Sequence, residues 1–165
     1  MSIEKIIEAA ERMFMRFGIR SVSMDDLCRE LGISKKTLYQ FISGKGDLVR
    51  KVVRSHIVEE KCSMRDLREV SENAVHETML ITQYVHQIMD EVSPATLYDM
   101  KKYYPKAWQE MQSFQREHIF QIAGENLKRG QAEGLYREGL DPDIIARLYL
   151  VKVLAIINPD MFPSD

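Results

Sequence analysis

The chain has 165 residues, 45% hydrophobic and 29% charged, a balance that builds a core and lies far from the low-apolar, high-charge regime of disorder. No apolar run approaches the roughly 20 residues of a membrane span, the N-terminus lacks a signal-peptide core, and Cys28 and Cys62 have neither disulfide-framework nor metal-ligand spacing, so a cytoplasmic protein with reduced thiols is expected. The net charge of −2 divides unevenly, with 11 Lys and Arg against 7 Asp and Glu in residues 1–56 and 12 against 18 thereafter, which places a basic head able to meet phosphates on an acidic body.

Ser2 precedes Ile3, Ile6, Ile7, Ala10, Phe14 and Phe17, a spacing of threes and fours that predicts a first helix, with Gly18 placed as a left-handed C-terminal cap. Ser23 is positioned to cap a second helix, Asp26 to complete its capping box, and Val22 to staple onto Leu27. The inner face of that helix reads Met24, Leu27, Cys28 and Leu31, and Gly32 ends it. Ser34 then caps a third helix expected over residues 35–42, which buries Leu38, Phe41 and Ile42. Lys35, Lys36, Tyr39, Gln40 and Ser43 share its outward face, with Thr37 at the edge. Two capped helices joined by so short a turn cannot run antiparallel, and they form a helix-turn-helix.

Ser43 and Gly44 interrupt the pattern before a longer helix over about 47–62, and residues 66–92 suggest one or two more helices with no certain break. Ser93-Pro94 and Pro105 each open a helix, the second running to about 129, and Gly130, Gly134 and Gly139 surround a loop. Asp141-Pro142 starts a last helix, 142–157, that is apolar on more than one side and should be covered by a second subunit. With no strand pairs or repeats, the fold class is all-α.

The segment Met24–Val53, above all LGISKKTLYQFISGKGDLV, resembles the DNA-binding signature of the TetR family of repressors, and ENLKRGQAEGLYREGLDPDIIARLYL resembles that family's penultimate-helix region. The resemblance implies a homeodomain-like three-helix head over 1–46 and a helical ligand-binding and dimerisation body over 47–165. It also implies DNA contact by Ser23, Thr37, Tyr39 and Lys45, the last three to phosphates. Lys35 and Lys36 add positive charge to a helix N-terminus. Ser34, Lys36 and Gln40 are candidates for base edges, since Lys suits guanine O6/N7 and Gln suits adenine N6/N7. Two departures stand out: Lys36 occupies a spot where the family often has a small residue, and Gly46 one where an acidic helix former is usual.

In this family the body encloses a pocket, and Met79, Tyr84, Met89, Tyr103, Trp108, Met111, Phe114 and His118 are the candidate walls, although a Met-rich and aromatic face also reads as plain core. Family subunits pair through their last two helices. A further long helix usual in the family has no room after Pro159, so pairing is expected on the 142–157 helix and the one before it unless the chain continues. The expected function is a ligand-responsive transcriptional regulator, a repressor that binds a palindromic operator in double-stranded DNA as a homodimer. The effector is an unknown small molecule. Activation remains open, and the alternative is a helical ligand-binding or protein-interaction module without sequence-specific DNA binding. His56, His76, His86 and His118 lack the spacing of a helical metal site, no nucleophile or phosphate-loop signature occurs, and no enzyme activity, metal or cofactor is expected.

Overall fold

Serine, asparagine and proline set where the helices begin. The computed structural model describes residues 1–157, with side chains through residue 155; the expected polar tail from Asn158 and the side chains of Ile156 and Ile157 lie outside the described residues. Among the described residues the architecture is all-α, in the order α1 (Ile3–Phe17), α2 (Met24–Leu31), α3 (Lys35–Leu38), α4 (Lys45–Val70), α5 (Ala74–Glu91), α6 (Pro94–Tyr103), α7 (Pro105–Ala132) and α8 (Pro142–Ile157). By contact the chain forms two compact units, Met1–Ser63 with Tyr84–Met111, and Met64–Gln83 with Gln112–Asp165. Helices α4, α5 and α7 each give a part to both.

The first unit is built on α1 to α3. Ser2 caps α1, and Ile6, Ala9, Ala10 and Phe14 form its buried side. Phe17, expected inward, is instead half exposed under the Arg16 guanidinium. Gly18 closes the helix, its N–H donating to the Phe14 carbonyl, at φ 83° and ψ 152°. That is positive φ as expected, but a glycine-only region distinct from the left-handed helical one. Space imposes glycine as well, because a Cβ there would stand 3.0 Å from the Ala95 Cβ. Helix α6 covers this end of α1: the Ser93 N–H donates to the Met15 carbonyl and the Thr96 hydroxyl to the Phe14 carbonyl. Ile19, Val22, Leu27, Leu38, Ile42, Leu48, Val49 and Val53 complete the core.

Helix α4 differs from expectation at both ends, starting at Lys45 and running to Val70. Its start is stabilised by Asp47, whose carboxylate accepts the Ser43 N–H at 3.0 Å. Its end comes at residues 71–73, a break the hydrophobic period did not reveal, where Asn73 Oδ1 caps α5 by accepting the His76 N–H. Midway along α4, His56 Nδ1 lies 3.0 Å from Glu11 of α1, with Glu60 at 3.8 Å from the other ring nitrogen. The Glu11 hydrogen bond holds the imidazole above its ordinary pKa against the opposing effect of burial, and burial raises the Glu60 carboxyl despite the nearby imidazole.

In the second unit, α7 meets the 71–73 turn and α5 through Arg129. Its guanidinium donates to the Ser71 hydroxyl and carbonyl, to buried Glu77 at 2.9 Å and to Glu133 at 2.7 Å. Glu133 in turn accepts the first N–H of α5, that of Ala74. Buried Asn126 donates to the Ala74 carbonyl and accepts from the Thr78 and Tyr136 hydroxyls. Tyr136 lies so flat on Gly130 that a Cβ there would fall 2.1 Å from its ring. Helix α8 begins at Pro142 with the Asp141 carboxylate accepting from Asp143 and Ile144, as its sequence predicts. Ala146 sits against Gly124, while Ile144, Leu148 and Val151 are 57%, 62% and 59% exposed.

Candidate nucleic-acid interface

The interface is set by three serine or aspartate caps in twenty-five residues. The Ser23 hydroxyl accepts the Asp26 N–H at 3.1 Å while the Asp26 carboxylate accepts the Ser23 N–H at 2.9 Å, a complete capping box. Gly32 ends α2 in the left-handed conformation, φ 63° and ψ 33°, and Ser34 caps α3 by accepting the Thr37 N–H at 3.0 Å. The corner between the helices is therefore the expected helix-turn-helix. Helix α3 is shorter than the predicted 35–42. After the Tyr39 N–H bonds to the Lys35 carbonyl, Gln40 and Phe41 donate to residues three positions back, so the chain tightens into a turn after Leu38. Buried Leu38 and Ile42 still anchor it, with Phe41 half-buried.

This geometry sorts the candidate DNA-contacting residues by what they are free to do. Lys36, Tyr39 and Gln40 are exposed, and among the described residues their side chains make no hydrogen bond or ion pair. Ser23 and Ser34 are exposed, yet their hydroxyls already serve caps, and the Thr37 hydroxyl lies 2.9 Å from that of Ser34. Lys35 forms an ion pair with Asp25 at 2.8 Å, which holds its ammonium above the ordinary lysine pKa. Lys45 is half-buried, its Nζ donating to the Arg20 carbonyl at 3.3 Å, and burial lowers its pKa against the pull of Asp99. A shallow open groove beside the corner is lined by Asp25, Cys28, Arg29, Gly32, Ile33 and Lys35.

The candidate effector walls do not gather in one unit. Tyr84, Met89, Tyr103, Trp108 and Met111 belong to the first, and Met79, Phe114 and His118 to the second. Met79, Met89 and Tyr103 are 57%, 44% and 40% exposed, whereas Met111 and Phe114 are buried. The Phe114 and His118 rings stack at 4.8 Å between centroids. Sequence reasoning missed Arg20, which the structure joins to Lys45, Asp99 and Tyr103; no local pattern marks a loop arginine whose partners lie up to 83 residues away.

A capped helix-turn-helix with an exposed lysine, tyrosine and glutamine at its reading end, carried on a helical body, defines a DNA-binding transcriptional regulator. Residues 6–52 match the family described as bacterial regulatory proteins, tetR family. The chain is 28% identical over 158 residues to the uncharacterized HTH-type transcriptional regulator YvaF of Bacillus subtilis (strain 168), spanning 95% of this chain and 82% of that protein. The head of the chain, residues 6–52, is thus similar to the DNA-binding domain of the tetR family. Its fold is similar to that of a transcriptional regulator from Saccharomonospora viridis in complex with choline, with TM-score 0.74 and 18% identity over 96% of this chain and 82% of that one. It is also similar to the transcriptional regulator FadR from Bacillus subtilis in complex with stearoyl-CoA, with TM-score 0.69 and 14% identity over 98% of this chain and 90% of that one. Among the described residues no helix is long and apolar enough to cross a membrane.

Proposed function

We propose that this chain is a cytoplasmic, ligand-released repressor that binds a palindromic operator as a homodimer, with residues 1–46 as its DNA-binding head and 47–165 as its ligand-binding and dimerisation body. The observation that carries the reading is the unpaired, outward edge of Lys36, Tyr39 and Gln40 on a corner where the Ser23, Ser34 and Thr37 hydroxyls are engaged at the caps and Lys35 is paired with Asp25. Lys36 and Gln40 read base edges in the major groove. Tyr39 and Thr37 hold phosphates, and Ser23, Ser34, Lys35 and Lys45 complete the contact surface once DNA competes with their internal partners. Two such heads must lie about 34–36 Å apart, or a multiple of it, to meet successive major grooves.

The exposed stripe Ile144, Leu148 and Val151 on α8 supports the homodimer, because these residues recur at four and three positions along one face and would otherwise leave apolar surface in water. The solved relatives with choline and with stearoyl-CoA support a small-molecule effector, and their different chemistries leave its identity to this body's own side chains. Within the first unit the candidate walls are Tyr84, Trp108 and Met111, with Met89 and Tyr103 more exposed, and within the second they are Phe114 and His118, with Met79 more exposed. An effector that favours a different head spacing weakens operator binding by the coupling energy, typically about 1–3 kcal/mol.

The test is selection of bound sequences from a random duplex pool, followed by titration of the selected site. Lys36→Ala and Gln40→Ala should each relax preference at one or two positions, at a cost of about 1–3 kcal/mol for a lost bidentate contact. Enrichment of no sequence by the wild-type protein would refute operator recognition.

A further inference from the structure

We propose that the end of α6 extends the DNA-contacting surface: Arg20 and Lys102, held by the Tyr98 and Tyr103 rings beside Lys45, take a backbone phosphate of the duplex flanking the half-site. This rests on the DNA-binding reading and adds to it a region outside the helix-turn-helix. All of these residues belong to the first compact unit.

The residues form a connected series. The Arg20 N–H donates to the buried Asp99 carboxylate at 2.7 Å, and the Arg20 carbonyl receives Lys45 Nζ, so the loop backbone is fixed on both sides. The Arg20 guanidinium lies 4.5 Å from the Tyr103 ring centroid, and its Nη1 donates to the Tyr103 hydroxyl at 2.8 Å. Lys102 Nζ stands 5.5 Å from the same centroid and 5.1 Å from that of Tyr98, whose hydroxyl accepts from it at 2.6 Å. The two rings meet edge to face at 6.5 Å.

Charge is what points this cluster outward. Several other cations of the same unit are paired with carboxylates: Lys35 with Asp25, Arg29 with Asp26, Arg50 and Lys51 with Asp47, and Arg54 with Glu110. Among the described residues Arg20, Lys45 and Lys102 have no carboxylate at ion-pair distance. Their polar partners are two neutral phenols and a carbonyl. The acidic groups nearby are Asp99, spent on the Arg20 N–H, and Asp26, spent on Ser23 and Arg29. Three cations therefore face one buried carboxylate, and two of them crowd a single neutral ring. Beyond that carboxylate the three charges meet only uncharged polar groups and aromatic faces, which leaves them able to take an anion, and the aromatic contacts have already ordered the long side chains of Arg20 and Lys102. A phosphate diester fits: it needs one charge, accepts from Arg and Lys together, and recurs along the strand next to the one expected at Lys45.

The experiment is fluorescence anisotropy of the full chain on a labelled duplex extending past both half-sites, across about 50–200 mM salt. Lys102→Gln should weaken binding several-fold and reduce the salt slope by about 0.9 for each subunit engaged. Lys128→Gln, exposed in the second unit, should leave both unchanged, and thermal melts check that all proteins are folded. An unchanged slope for Lys102→Gln, or an equal drop for Lys128→Gln, overturns the proposal while DNA binding by the helix-turn-helix stands. Absence of any salt-dependent binding by the wild type overturns the DNA reading and the flanking contact with it.

Discussion

Substituting Gly18 by alanine tests how the end of α1 is held against α6. Two costs combine. The backbone at φ 83° and ψ 152° lies where residues with a Cβ pay about 1–3 kcal/mol. The new methyl would also sit 3.0 Å from the Ala95 Cβ, well inside the ~3.5–4.0 Å at which carbons attract. Moving α6 away to relieve that contact strains the Ser93 to Met15 and Thr96 to Phe14 hydrogen bonds. With about 1–3 kcal/mol for the overpacking as well, a total of about 2–6 kcal/mol follows, and at about 2–4 °C per kcal/mol for a chain of this size the Tm should fall by about 4–24 °C. Differential scanning calorimetry reads it directly, with Gly44→Ala, which meets nothing within 4 Å, as the neutral control. A double-mutant cycle with Ala95→Gly separates the two costs, because it relieves the methyl contact and leaves the backbone strain. Equal melting temperatures for Gly18→Ala, Gly44→Ala and wild type would refute the reasoning.

In the second unit, Gly130→Ala should displace Tyr136 and break its bond to Asn126, and the overpacking penalty of about 1–3 kcal/mol should outweigh the gain in helix propensity of about 1 kcal/mol; a thermal melt above that of wild type would contradict this. Gly46→Ala, in the open first turn of α4, should raise stability by about 0.5–1 kcal/mol in chemical denaturation. His56 and Glu60 both titrate higher in the folded chain than free, so the stability they contribute is present below their unfolded pKa values and is lost as pH rises through the folded ones. The His56 part should be visible as a Tm that declines above about pH 6.5, a decline that His56→Gln flattens. Leu148→Glu should convert a dimer to a monomer in light scattering without unfolding it, since the side chain is 62% exposed; an unchanged mass would remove α8 from the interface.

Short-range chemistry was readable from the sequence. Ser2, Ser23, Ser34, Ser93, Asp141 and the prolines that follow two of them act within four residues, so helix starts and the helix-turn-helix corner could be placed without a fold. The breaks at residues 39 and 71–73 could not, because apolar spacing continues across them and only the hydrogen-bond pattern changes. Tertiary structure alone decided which exposed cations are free. Lys35 and Lys36 are neighbours of one type, and only the approach of Asp25 distinguishes them. The same holds for Gly18 against Ala95, Gly130 under Tyr136, His56 between two glutamates, and Arg20 on Tyr103. Local propensity is a property of a few adjacent residues, whereas charge pairing and steric fit depend on which distant segments the core brings within a few ångströms.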